Sequence, residues 1–238
     1  MWTSRLRQTV AAVLAFARSE AAMLAGLAVV AGGSLAFIEI ADDMTESDGR
    51  AFDWAVLHLL HPDEADLANP IGPHWLEQAM SDITALGSVT VLVSVVLLAG
   101  GFLLLRRRAL EALLLAFALG GGLALSQSLK GFFMRERPPD AYRAVEVLNE
   151  SFPSGHAMLS AVVYLTLGAM MARAAPDMRV RIYVLAAAIL LTVLVGATRL
   201  YLGAHWASDV LAGWSIGAAW ATACWLLDRW IRRDNDAS

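Results

Sequence analysis

Residues 83–128 read ITALGSVTVLVSVVLLAGGFLLLRRRALEALLLAFALGGGLALSQS, two long apolar runs joined by Arg106, Arg107 and Arg108. A helix rises about 1.5 Å per residue through a hydrocarbon core about 30 Å thick, so about 20 mostly apolar residues can cross it. The stretches 83–105 and 109–128 both meet that length. The whole chain follows suit: of its 238 residues 58% are hydrophobic and 17% charged, with mean hydropathy +0.57. Four more stretches qualify, Ala21 to Ile40, Gly155 to Ala172, Ile182 to Leu202 and Trp206 to Leu227. The expected fold class is therefore all-α: a polytopic membrane protein with six transmembrane helices, forming one domain over residues 1–238. The start, MWTSRLRQTV, leads into apolar sequence without a small-residue cleavage pattern and reads as an uncleaved first helix. A single cysteine, Cys224, excludes an intrachain disulfide.

Cytoplasmic loops keep an excess of Arg, which orients the bundle. Of the eighteen basic residues, Arg5, Arg7, Arg18, Arg106, Arg107, Arg108, Arg173, Arg179, Arg181, Arg229, Arg232 and Arg233 fall at one face. That face is expected to be cytoplasmic, with both termini inside and the chain in the cell (inner) membrane. Arg50, Lys130, Arg135, Arg137, Arg143 and Arg199 lie on the other side, where topology gives no reason for them.

The same side carries the connection 41–82, which holds ten of the 22 acidic residues. In it Phe52, Val56, Leu59 and Leu60 recur at helical spacing, as do Trp75, Ala79, Ile83 and Leu86. Both stretches are expected to be short amphipathic helices forming an extracytoplasmic cap, with Trp54 and Trp75 at the interface. His58 and His61, near Asp63 and Glu64, read as solvated helix surface rather than metal ligands. Glu39 and Glu111 read as snorkelling or capping groups. Gly120 to Gly122 and the pair Gly213 and Gly217 read as close helix packing.

Three clusters gather at the outer face. KGFFMRERP, residues 130–138, contains the one lysine of the chain. A lysine offers a compact point charge and an arginine a planar fork, which together suit an anion. Arg135 and Arg143 could attract an anionic head group. In FPSGH, residues 152–156, Pro153 ends the preceding segment, Ser154 is a natural N-cap and Gly155 admits close approach. The exposed N–H groups of the helix that begins there would cradle an anion. In TRLYLGAHWASD, residues 198–209, His205 and Asp209 stand four apart, on one face if helical. A carboxylate fixing one ring nitrogen leaves the other as a nucleophile or a base.

With these motifs in order, the sequence resembles the type 2 phosphatidic acid phosphatase superfamily. Its signature is met by Lys130 with Arg137 and Pro138, by Pro153 to His156, and by Arg199, His205 and Asp209, with Thr198 where serine is usual. The resemblance implies a metal-independent, cofactor-free phosphatase acting on a lipid phosphomonoester or diphosphate through a phosphohistidine. His205 would attack phosphorus, Asp209 would orient it, and His156 would serve as acid and then base. Lys130, Arg137, Ser154, Gly155 and Arg199 would bind the phosphoryl group. Implied partners are a lipid phosphate substrate and membrane lipids, with no nucleic acid. Substrate candidates are undecaprenyl diphosphate, placed first by analogy, phosphatidylglycerophosphate, phosphatidate and the phosphate of lipid A. The alternative is a lipid or proton-coupled transporter using the His/Asp cluster as a relay, which requires ionisable groups near the bilayer midplane.

Overall fold

The computed structural model describes the chain except residues 1, 45, 64, 146–148 and 238, and except the side chains of 2–19 and 233–237. Arg5, Arg7, Arg18 and Arg233, counted above for orientation, therefore have side chains outside the described residues, as does Glu64. The described residues form eight α-helices in order: α1 Trp2–Asp43, α2 Ser47–Leu60, α3 His74–Ala85, α4 Val89–Leu105, α5 Ala109–Phe133, α6 Gly155–Ala174, α7 Met178–Tyr201 and α8 Ala207–Ala237. A 3-10 turn covers Asp140–Tyr142. No strand occurs among the described residues, so the all-α expectation holds.

Local chemistry sets several boundaries. Ser88, Ser154 and Asp177 cap α4, α6 and α7 by accepting from the N–H of Val91, Ala157 and Val180. α5 ends where Met134 turns left-handed (φ 44°) and its N–H closes on Lys130 O at 2.9 Å, ahead of Pro138 and Pro139.

Five of the expected spans are single helices long and apolar enough to cross a membrane: α1 from Glu20, α5, α6, α7 and α8. The second differs. Read as one run from Ile83, it breaks at residues 86–88, and α3 and α4 meet at 50°. Gly87 explains the break: a Cβ there would lie 2.3 Å from Val195 Cγ1 and 3.0 Å from His156 Cδ2. The Tyr164 hydroxyl donates to Leu86 O at 2.7 Å and holds the bend. Counted as one bent span, α3 with the 17-residue α4 brings the candidate spans from five to six.

α6 is the axis of the bundle, packed by α5, α7 and α8, with α1 outside α8 and α4 against α5 and α6. Small residues permit the tightest contact, since lipid tails give apolar faces no preference for one another. A Cβ at Gly213 or Gly217 would reach 2.8 Å from Ser154 O or 2.6 Å from Met158 O. This is the close packing that the glycine pair foretold. Gly121 likewise abuts Trp220, but Gly120 faces open space and packs nothing.

At the end of the bundle formed by the start of α5 and the ends of α6 and α8, Glu111 is buried rather than snorkelling. It pairs with Arg108 at 2.6 Å and Arg232 at 2.9 Å, and Asp228 pairs with Arg232 and Arg173. A buried carboxylate is retained only with such partners.

The connection forms the expected helices α2 and α3, yet α2 is seated differently. Phe52, Trp54 and Leu59 are exposed, and the buried residues of α2 are Asp53 and Leu57. His61 is buried too, correcting its reading as solvated surface: Nδ1 lies 3.2 Å from Leu57 O and the ring stands edge-on to Tyr142.

Candidate active site

The opposite end of the bundle gathers the ends of α5 and α7 with the starts of α6 and α8. Lys130 lies in the last turn of α5, inside the helix, and its Nζ donates to Glu150 O. Arg137, in the coil beyond, is held at several points. Nε donates to Asn149 O (2.6 Å), Nη1 to Ala204 O (2.6 Å), and Nη2 to Asn149 Oδ1 (3.0 Å) and Glu150 O (3.2 Å). Its fork thereby ties segment 149–150 to the turn before α8.

That turn is made by glycine chemistry. Gly203 adopts φ +61°, and a Cβ there would sit 2.0 Å from Tyr142 O. The N–H groups of Ala204 and His205 then fold back onto Arg199 O at 3.0 and 3.3 Å. His205 is left 3% exposed beside the first turn of α8.

Its two ring nitrogens have different neighbours. Nδ1 lies 3.2 Å from Asp209 Oδ2, and Nε2 lies 3.0 Å from Arg137 Nη1. A guanidinium can only donate, so Nε2 accepts and Nδ1 carries the proton toward Asp209. Burial pushes the His205 pKa down to about 3, with Arg137 and Arg199 adding to it against the pull of Asp209. The imidazole is neutral, with a lone pair on Nε2 in the midst of cations.

Asp209 is fully buried. Oδ2 also accepts from Trp206 N at 2.9 Å and from the Ser151 hydroxyl. Oδ1 accepts from Arg135 Nη1 at 2.5 Å. Arg135 in turn donates Nη2 to Asp53 Oδ2 at 2.6 Å and Nη1 to Ser208 Oγ at 2.7 Å. Asp53 accepts as well from Ser208 N (2.9 Å) and Ser208 Oγ (2.7 Å).

Ser154 is buried at the N-cap of α6, and its own N–H donates to Asp209 O at 2.9 Å. Gly155 follows, and a Cβ there would lie 3.8 Å from Lys130 Cε. His156, half-buried, stands against Gly87 in the α3–α4 bend, and the charges acting on its ring are Arg199, Arg137 and Lys130. Arg199 is buried, with Nη1 donating to Thr84 Oγ1 at 2.9 Å and Nε without a hydrogen-bond partner among the described residues.

All eight residues named from the motifs thus surround one place. Thr198 does not join them, because its hydroxyl donates to Val195 O within its own helix. Arg143 is paired with Asp140, and its charge acts on Arg137. Four participants went unnamed: Asp53, Ser151, Asn149 and Ser208. Arg135 was noted only as an attractor of head groups, and it bridges two carboxylates instead. The one signal for Asp53 was an acid interrupting the apolar pattern between Phe52 and Trp54.

The arrangement suits transfer of a phosphoryl group to nitrogen: a neutral imidazole, a carboxylate behind it, cations in front and a second histidine nearby. Comparison with known proteins gives the family. Residues 111–233 match the PAP2 superfamily. Over 146 residues, 60% of this chain and 70% of the relative, the sequence is 34% identical to phosphatidylglycerophosphatase B of Bacillus subtilis (strain 168). The fold is similar to that of a solved transmembrane PAP2-type phosphatidylglycerolphosphate phosphatase from Bacillus subtilis. The TM-score is 0.78 at 28% identity, covering 86% of this chain and 98% of that one. The fold of LpxE from Aquifex aeolicus is also shared, with TM-score 0.54 at 23% identity over 72% and 93% of the two chains.

Proposed function

Because the chain belongs to the PAP2 superfamily and is a membrane-spanning phosphatase, a hydrolase of phosphoric esters, we propose that it removes phosphate from a lipid through a phosphohistidine on His205. The observation that carries this is the tautomer: Asp209 behind Nδ1 and the Arg137 N–H on Nε2 leave a nucleophilic lone pair where a phosphoryl group would sit.

In the first step Nε2 attacks phosphorus, the P–O bond to the lipid breaks, and His156 gives its proton to the departing oxygen. In the second, His156 takes a proton from water, the hydroxide attacks phosphorus and the P–N bond breaks, releasing phosphate. Arg137 exchanges its contact with Nε2 for a phosphoryl oxygen as the bond forms. Lys130, Arg199, the Ser154 hydroxyl and the Gly155 N–H take the other oxygens, neutralising charge as it develops. The unpartnered Nε of Arg199 is a buried donor that a phosphoryl oxygen would satisfy. Three cations supply the charge that a metal supplies in other phosphatases, so turnover is expected without one.

The names of the two Bacillus relatives make phosphatidylglycerophosphate our first choice of substrate, ahead of undecaprenyl diphosphate and phosphatidate. The arginine distribution supports a site on the extracytoplasmic side of the cell membrane with both termini inside and residues 41–82 as a cap on a single domain. The transporter reading wanted ionisable groups at the midplane, and these stand at one end of the bundle.

The test is phosphate release from the three lipids in detergent micelles, with a chelator and with orthovanadate. Chelator-resistant, vanadate-sensitive release that vanishes in His205→Ala is expected. Turnover by His205→Ala overturns the nucleophile.

A further inference from the structure

We infer that Asp53, on α2 and outside the residues that match the family, is a positioning residue that holds the catalytic carboxylate through Arg135. The inference rests on the reading of His205 as nucleophile and extends the catalytic machinery into the connection 41–82.

Burial comes first. α2 is an amphipathic helix that leaves Phe52, Trp54 and Leu59 exposed and puts Asp53 inside at 2% exposure. Taking a carboxylate out of water costs several kcal/mol before compensation. A helix that needed only an anchor would bury its apolar face, so the geometry points to work done by the charge.

The contacts show what that work is. Each terminal nitrogen of Arg135 serves one carboxylate, Nη2 to Asp53 at 2.6 Å and Nη1 to Asp209 at 2.5 Å. The guanidinium also lies over the Trp206 ring, 5.8 Å from its centroid. Ser208 Oγ accepts from Arg135 and donates to Asp53, closing the loop. With Oδ1 of Asp209 pinned this way, rotation of its carboxyl is blocked and Oδ2 stays on His205 Nδ1.

Charge balance supplies the second half. When Nε2 bonds to phosphorus the imidazole becomes cationic and needs a counter-charge. Arg135 facing Asp209 alone would make a neutral pair with little left to offer. Asp53 restores the balance, because two carboxylates share one guanidinium and an excess negative charge remains behind the ring. The near-isosteric Asn lacks exactly that charge while keeping most of the shape.

The experiment is a double-mutant cycle over Asp53→Asn and Arg135→Gln, with His205→Ala as control, in purified protein turning over phosphatidylglycerophosphate. Partners that orient metal-bound histidines cost about 10–100-fold when removed, and on the same scale kcat of Asp53→Asn should fall with KM nearly unchanged. The double variant should be no slower than Arg135→Gln alone, since a residue acting through another adds nothing once the other is gone. Asp53→Glu should recover part of the loss. The inference is overturned if Asp53→Asn keeps wild-type kcat while His205→Ala is dead, if the two losses multiply, or if only KM moves. Turnover by His205→Ala would instead remove the nucleophile reading and this inference with it. If Asp53→Asn does not fold, Ser208→Ala, which removes the hydroxyl bridging Asp53 and Arg135 but leaves their direct ion pair, takes its place: a smaller fall in kcat with KM nearly unchanged is expected, and wild-type kcat overturns the inference.

Discussion

Arg137 Nη1 lies 3.0 Å from His205 Nε2, on the side of the ring opposite Asp209. The same guanidinium spans Asn149, Glu150 and Ala204, so it both faces His205 and fastens the loops around it. A lysine has no fork and could serve only one of these tasks. Arg137→Lys is expected to lose about 10²–10³-fold in kcat, the usual cost of a missing donor to a developing oxyanion. Single-turnover phosphate release measures it, and a variant within a few-fold of wild type would remove Arg137 from the chemistry.

The burial of His205 makes a pH prediction whose sign is fixed. Its folded pKa, about 3, lies below the ordinary value of about 6.5, so between the two the unfolded chain binds the extra proton. Stability contributed by this residue is complete above pH ~6.5 and is lost progressively as the pH falls toward ~3. His205→Gln, which cannot titrate, should lose less melting temperature over that window than wild type. Parallel melting curves in detergent across the window would contradict it. In the same window wild-type activity should show no acid limb due to His205, because its ring stays neutral.

Gly203 stands two residues before His205 in a left-handed conformation, φ +61°. Alanine pays about 1–2 kcal/mol for that conformation alone, and its Cβ would meet Tyr142 O at 2.0 Å. Gly203→Ala is therefore expected both to melt earlier and to slow turnover, since the turn sets where His205 points. An unchanged melting temperature would show that the turn relaxes freely.

Much of this was legible beforehand, for a physical reason. Helix number and order follow from the cost of exposing backbone to lipid, and runs such as 83–105 and 109–128 leave little else possible. Lys130, Arg137, Arg199, His156 and His205 stood out because charge at a span end needs a cause. The bend at Gly87 did not stand out, since a glycine in an apolar run looks the same whether or not Val195 and His156 press on it. Asp53 was hidden among ten acids of one connection. Its role is set by Arg135 and Ser208, which are remote in the chain. Ser151 and Asn149 were missed for the same reason: loop residues acquire meaning only when the loop is placed.

Glu111 separates stability from activity. It lies nineteen residues before Lys130 on α5, about 28 Å away along the helix, and is the buried partner of Arg108 and Arg232. Glu111→Gln leaves these arginines facing a neutral amide and strands the cations around Asp228 without their second acid. Breaking a fully buried pair costs about 3–5 kcal/mol, but these arginines are more than a third exposed, so about 1–3 kcal/mol is the expectation. The melting temperature should fall while kcat and KM of the folded fraction stay within about twofold, because distant sites without shared partners act independently. A selective loss of kcat would mean instead that the two ends of the bundle are coupled through α5.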